Sequence, residues 1–587
     1  MTSAEKLAAL RTKMKRQGLA AVVVPSADPH QSEYVAQHWQ ARAWLTGFTG
    51  SAGTAVVTRN QALVWTDFRY WLQARAQMDE FELIRQGEKD VPSFDQWLAR
   101  SLDQGDVIAM DGRMVSASAK KKYTSRFEPA GLSLDTGVDL ISSLWKDRPS
   151  RPATKAFVLE SRYAGQTRTD KLAAIRAKLE SLGAKVHPMA TLDDIAWTFN
   201  LRGADVHTNP VNLAYALITL DQARLFMDPG KLGDSVRQDL ESDGVSLEPY
   251  EAVDEALANI PAGTRVCLDP DRISCHLYNA VNPGAVKVDA PNPAVALKAV
   301  KNSTEIQWIR KTQEKDGRAV VNFLHWLDTF DGPVTEMSAA EKMREFRSAQ
   351  DGFVSDSFDA IMAAQEHSAM CHYKADPQSD RPVSQGMFLT DSGGNYLTGT
   401  TDITRTVHLG PADAQDITDY TLVLKGHIAV AQSCFPSGTR GYQIDTLARQ
   451  FLWQEGMDFG HGTGHGVGFF LCVHEGPARI SPHPVDQALK PGMVLTNEPG
   501  VYREGGYGIR LENMILVTED RETEFGSFLK FKTLTLCHFE RDLIDRDWLT
   551  RAEKNWVDGY HRKVYDVLAP GLDPDVRSWL GDKTRPL

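Results

Sequence analysis

The chain has 587 residues, 42% hydrophobic and 24% charged, the proportions of a soluble globular protein, and its length implies about three to six structural units. The formal charge of −12 argues against a phosphate backbone as main partner, so nucleic acid is not expected. Six cysteines stand far apart with no CxxC, as in a reducing compartment; the charged first residues offer no secretory signal, and no run reaches the about 18 apolar residues of a membrane helix. A cytoplasmic protein without membrane attachment is expected.

In chain order, Leu7, Leu10 and Met14 predict a helix over residues 5–17, stopped by Gly18 and followed by a buried strand over 20–24 that ends at Pro25. EKLAALRTKM at 5–14 returns as DKLAAIRAKL at 170–179, an offset of 165, and the second copy also ends at a glycine, Gly183. Trp44 and Trp197 open loosely similar stretches, each followed by a strand-like segment, 53–58 and 214–220. The shared order predicts a duplicated α/β domain. Charged, proline-bearing stretches at 146–152 and 289–293 mark two boundaries. A long helix is expected over 303–330, opening a third unit. Beyond about residue 520 the chain alternates and then turns helical around Trp548, Trp556 and Trp579, a folded tail without a catalytic grouping of its own.

The third unit holds the polar constellations. Residues 387–394 and 400–407 predict a hairpin with Asp391 and Asp402 near the ends of its arms. In residues 460–468 every even position is glycine. Extended, that segment bares one face to close approach and carries His461, Thr463, His465 and Val467 on the other. Four residues of strand span roughly 13 Å, too far for both histidines to hold one ion; which one is the ligand stays open at this point. Glu498 ends an apolar strand, and in residues 508–513 Arg510 and Glu512 share one face while Ile509 and Leu511 share the other, a half-buried strand. Singly, each polar residue has an ordinary explanation as a loop cap or surface ion pair. Together, Asp391, Asp402, Glu498 and Glu512 with one histidine would repel and protonate unless cations joined them. Two divalent ions resolve this. An oxygen-rich donor set suits Mn²⁺, with Zn²⁺ or Co²⁺ as alternatives, and such a pair can activate water and polarise a carbonyl.

The ordered set of Asp391, Asp402, His465, Glu498 and Glu512, with GTGHG at 462–466, NEPG at 497–500 and GIRLEN at 508–513, resembles the pita-bread metallopeptidases, the group of methionine aminopeptidases, prolidases and aminopeptidases P. LTGFTGSAGTAVVT at 45–58, WTDFRYWLQA at 65–74, IAWTFNLRGADV at 195–206 and VHEGP at 473–477 are similar to the long, three-domain cytosolic Xaa-Pro aminopeptidases within it. The resemblance implies two creatinase-like α/β domains, 1–150 and 151–297, then a catalytic pita-bread domain, 298–587, whose C-terminal extension starts at about 520. It implies that Asp391 chelates one metal, Asp402 and Glu512 bridge both, and His465 and Glu498 hold the second. Catalytic roles fall to Glu498 and to His474, a proton shuttle near the scissile bond. His372, His461, Tyr502 and Arg510 become substrate-binding or supporting residues. The implied substrates are short peptides with proline second, and the implied assembly is a homodimer.

Three rivals remain. Prolidases, which split Xaa-Pro dipeptides, share the last domain but usually have one N-terminal domain. Creatinase-type amidinohydrolases work without metal and lack several of these carboxylates. Non-enzymatic peptide or histone binders of this fold have lost ligand residues, whereas all five positions are filled here.

Overall fold

The computed structural model describes residues 1–587 and divides into two compact units, Met1–Glu160 with Gln166–Val295, and Ser161–Gly165 with Ala296–Leu587.

The first unit is built twice from one plan. Helix Ser3–Arg16 starts where the Thr2 side chain accepts the Glu5 amide and Glu5 reaches back, a capping box worth about 1 kcal/mol. Helix Arg168–Ser181 uses Thr167 and Asp170 in the same way. Leu7, Leu10 and Met14 are buried, and so are Leu172, Ile175 and Leu179 at the matching positions. Gly18 and Gly183 then turn the chain at φ 68° and 63°, a left-handed conformation that any Cβ makes costly.

Each turn feeds the central strand of a six-stranded sheet. The first sheet runs Glu82–Arg85, Ala62–Thr66, Thr54–Thr58, Ala21–Pro25, Val107–Ala109, Ser133–Asp135; the second runs Val245–Glu248, Ala223–Met227, Ala214–Thr219, Val186–Met189, Arg265–Leu268, Val286–Asp289. In both, the central strand is antiparallel to one neighbour and parallel to the other. The repeat therefore extends from the helices to strand order and sense. His30 joins the two halves: fully buried, it meets Ala190 O at 2.8 Å and Tyr250 Oη at 2.9 Å and stacks on Tyr215.

In the second unit, helix Ser303–Thr329 starts at Asn302, whose side chain accepts two free amides of its first turn. A three-stranded antiparallel sheet (Ile361–Ala364, Gly386–Ser392, Ile403–Leu409) and a six-stranded one (Cys434–Pro436, Gly526–Thr533, Asn513–Thr523, Val494–Asn497, Gly464–Gly466, Glu475–Ile480) carry the polar segments. A single apolar cluster holds Tyr420, Leu495, Ile509, Leu511 and Ile515 together with Val557, Val564 and Leu568 of the tail helix Arg551–Leu568, so the tail shares the core beneath the polar segments.

Two local expectations change. The glycine-rich segment is strand only over Gly464–Gly466; there a Cβ on Gly464 would collide with Thr496 O and one on Gly466 with Glu475 O, because strands close in on both sides. Residues 508–513 are not half-buried. Ile509 and Leu511 are 0% exposed, but Arg510 and Glu512 are only 3% and 2% exposed, since their face meets the Asp391 hairpin instead of water. No helix in the chain is long and apolar enough to cross a membrane.

Candidate active site

The site grows from a hairpin. Gly386–Ser392 pairs residue by residue with Ile403–Leu409, which sets Asp391 opposite Thr404, and Asp402 stands one residue before the second strand. Between these strands the chain makes a second, small pairing of Gly394–Tyr396 with Gly399–Thr400. Asp402, Thr404 and Thr406 alternate along one face. Thr404 Oγ1 donates to Glu512 Oε2 at 2.7 Å and accepts from Arg510 Nε at 3.1 Å. Thr406 Oγ1 accepts the Arg510 amide and donates to the Arg510 carbonyl, both at 3.1 Å. No motif marks these two threonines in the sequence; the signal that points to them is the period-2 pattern starting at Asp402.

Arg510 is the hub. It donates through Nη2 to Asp391 Oδ2 and through Nη1 to Tyr502 Oη at 2.7 Å, and it also reaches Cys371 O at 3.3 Å, the carbonyl just before His372. Its ion-pair partner is thus Asp391, not the Glu512 beside it in sequence. Tyr502 sits on the hairpin Gly500–Tyr502 with Gly508–Arg510 and meets His461 Nε2 at 2.7 Å. His461 Nδ1 lies 2.7 Å from Gly462 O. The carbonyl bond assigns the proton to Nδ1, so Nε2 accepts from the tyrosine.

The structure separates the two histidines of the glycine-rich segment. His461 belongs with Tyr502. His465 turns Nε2 toward Asp402 Oδ2 at 3.4 Å and Glu498 Oε1 at 3.6 Å, with Nδ1 on Gly466 O at 3.0 Å. The ring of His474 stands edge-on to His465 with centroids 4.2 Å apart. Glu498 follows strand Val494–Asn497 and takes a hydrogen bond from Thr496 Oγ1 at 3.2 Å.

The electrostatics are those of too many acids in one place. Burial, then Asp402, Glu498 and Asp391, pushes Glu512 well above the usual carboxylate range. Burial first, reinforced by neighbouring carboxylates and opposed by Arg510, also raises Asp391 and Glu498. Burial acting on His465 would lower it, but Asp402 and Glu498 outweigh that and raise it to about 9. Asp391 Oδ1 is buried without a hydrogen-bond partner. Donor atoms of Asp402, His465 and Glu512 all lie within 4.8 Å of one another. Crowded carboxylates, an open lone pair and converging donors fit divalent cations.

Known proteins resemble this chain along its whole length. The model of Metallopeptidase family M24 matches residues 307–519 and that of the C-terminal region of peptidase M24 matches 527–587. The Creatinase/Prolidase N-terminal domain matches twice, at 6–138 and 147–305. A protein of Laccaria bicolor described as "Probable Xaa-Pro aminopeptidase P" is 39% identical, the alignment covering 100% of this chain and 94% of that one. "Xaa-Pro aminopeptidase 1" of Dictyostelium discoideum is 37% identical over 99% and 96%. The crystal structure of X-prolyl aminopeptidase from Caenorhabditis elegans, described as a cytosolic enzyme with a di-nuclear active site, superposes with a TM-score of 0.96 at 35% identity, covering both chains fully. The fold is therefore the expected one, two creatinase-like α/β domains ahead of a pita-bread domain. The chain belongs to metallopeptidase family M24.

Proposed function

We propose that this chain is an Xaa-Pro aminopeptidase, removing the first residue of short peptides that carry proline second. The observation that carries this is the convergence of Asp402, His465 and Glu512 in a chain 39% identical, end to end, to a protein named for that activity. Asp391, Asp402, His465, Glu498 and Glu512 hold two divalent ions, manganese by preference because four of the five donors are carboxylates. Bound there, the ions supply Lewis acidity and a water of lowered pKa.

The chain's own side chains do the rest. Arg510 holds Asp391 by one nitrogen and Tyr502 by another, fixing the acid relative to the pocket wall. Tyr502 and His461, joined at 2.7 Å, form a compact wall for the pyrrolidine ring, whose fixed φ lowers the ordering cost of binding. His372 lines the same pocket. His474 delivers a proton from its imidazole to the proline nitrogen, a tertiary amide nitrogen that has no hydrogen of its own.

The working enzyme is a cytosolic homodimer that takes neither nucleic acid nor membrane as partner, and its domains are 1–150, 151–297 and 298–587 with an extension from about 520. The cytosolic assignment is supported by the description of the Caenorhabditis relative and the dimer by family resemblance. The test uses chelated protein resupplied with Mn²⁺, Co²⁺ or Zn²⁺ and three substrates: an Xaa-Pro dipeptide, an Xaa-Pro-Yaa tripeptide and its N-acetylated form. Cleavage of the tripeptide at Xaa–Pro, sparing of the acetylated form and best recovery with Mn²⁺ are expected. Cleavage of the dipeptide alone would make it a prolidase, and full activity in metal-free protein would discard the ion pair.

A further inference from the structure

We infer that the C-terminal extension positions two proposed metal ligands, Glu498 and Glu512, through a buried chain of Tyr560, Arg405, Asn513 and His427; the inference rests on the dinuclear reading above. Its starting point is Arg405. The side chain is 1% exposed, and all its hydrogen-bond partners are neutral oxygens. Nε donates to His538 O at 2.8 Å. Nη1 donates to Thr404 O at 2.9 Å and Glu512 O at 2.6 Å. Nη2 meets Cys537 O at 2.7 Å, Asn513 Oδ1 at 2.8 Å and Tyr560 Oη at 3.1 Å. Phe539 presents its ring face 4.5 Å from the guanidinium carbon. Burying a guanidinium is costly unless every donor is met, so its rigid fork locks three segments: the strand after Asp402, the Glu512 backbone, and the tail residues 537, 538 and 560.

From Asn513 the chain continues. Asn513 Nδ2 donates to His427 Nε2 at 3.1 Å. His427 Nδ1 lies 3.1 Å from Leu511 O, and its own carbonyl accepts from Asn497 Nδ2 at 2.9 Å. Leu511 and Asn513 flank Glu512, and Asn497 precedes Glu498. Burial, assisted by Arg405, keeps His427 neutral, which suits a ring that accepts at Nε2 while donating at Nδ1. A continuous set of fixed donors and acceptors thus runs from a tail tyrosine to residues 511–513 around Glu512 and to the side chain of Asn497, which precedes Glu498. These are positioning residues, because none of them touches a glutamate carboxylate among the bonds described. Such outer contacts orient ligands and typically govern metal affinity by about 10–100-fold.

Tyr560→Phe deletes one hydroxyl and keeps the ring that stacks on Trp556 at 5.4 Å. The full chain, stripped by chelation, is titrated with Mn²⁺ in a calorimeter; kcat, KM and the thermal midpoint of the metal-free protein are measured alongside. The unsubstituted chain should bind two ions. Tyr560→Phe should weaken Mn²⁺ binding by roughly 10-fold and lower kcat with KM unchanged; the metal-free midpoint should fall as well, because the hydroxyl also accepts the Cys537 amide at 3.3 Å and donates to Thr535 O at 3.0 Å. Asn513→Ala, which cuts the chain at its centre, should weaken binding by up to about 100-fold; should it not fold, Tyr560→Phe decides. Wild-type Mn²⁺ affinity and kcat in Tyr560→Phe would overturn the inference alone. Absence of two-ion binding in the unsubstituted chain would overturn the reading of the site, and this inference with it.

Discussion

The two compact units obey one electrostatic rule and reach opposite ends. In the N-terminal unit buried charges are met one by one, Arg42 by the oxygens of Ser26, Phe48 and Gly50 and others by an opposite charge. Lys231 pairs with Asp205, and Arg168 with Asp239 and Asp243. His30 and His187 have no carboxylate hydrogen-bonded to them, and burial pushes both down, leaving them neutral. In the C-terminal unit Asp391, Glu498 and Glu512 are all pushed up, burial first, and His465 is drawn up to about 9. Desolvation disfavours every charge. Where the chain supplies a counter-charge, the result is structural; where it crowds like charges at strand ends, the result is a demand for ions from outside, the mark of a functional site.

Replacement of one acid in each unit sharpens that contrast. The largest effect is expected from Glu512→Gln. An amide offers one neutral oxygen in place of two anionic ones, so activity should fall on the order of 10³-fold, about 4 kcal/mol, and bound Mn²⁺ should drop below two per chain. The same change should leave the metal-free chain as stable as before or more so, because a repelled charge is gone; near-normal turnover with full metal content would remove Glu512 from the site. Asp205→Asn is the counterpart. It strands Lys231 Nζ in a 3%-exposed side chain and should cost about 3 kcal/mol of stability in denaturant titration, with metal content unchanged. An unaltered unfolding midpoint would show that the pair is not the buried anchor described.

Smaller effects follow. His474→Phe should lower kcat about 10²-fold while Mn²⁺ content stays at two per chain; loss of metal in proportion to activity would make His474 a ligand or a support. The smallest effect is in pH. For His30 and His187 the folded pKa lies below the ordinary 6.5. Their contribution to stability is therefore complete above about pH 6.5 and is lost as pH falls below it, because the unfolded chain takes up protons first. The part of the first unit's thermal midpoint that His30 contributes, read as wild type minus His30→Gln, should be flat above pH 6.5 and decline toward pH 5. A difference indifferent to pH across that window would mean that His30 is not neutral in the fold.

Much of the architecture is legible in local signals. The Thr2 and Thr167 caps, the apolar triplets behind them and the stopping glycines define both copies of the repeat, because capping and helical period depend on residues a turn apart. The five polar positions stand out for a related reason, each at a strand end or beside glycines. The pairing within the site is not local. Arg510 and Glu512 share a strand face in sequence, yet Arg510 bonds Asp391 and Glu512 bonds Thr404, partners 119 and 108 residues away. His461 and His465 look alike in a row of alternating glycines and part company only when Tyr502 and Asp402 arrive beside them. The tail, featureless as chemistry in the linear chain, reaches the Glu512 backbone through one arginine that carries no motif.

Element type, the repeated domain and the donor inventory are thus properties of the residue order, since propensity and period act over a few residues. Which donors converge, which acids are pushed up and which arginine holds them are properties of the folded chain, since burial and Coulomb interaction sum over groups that sequence separates and packing brings together.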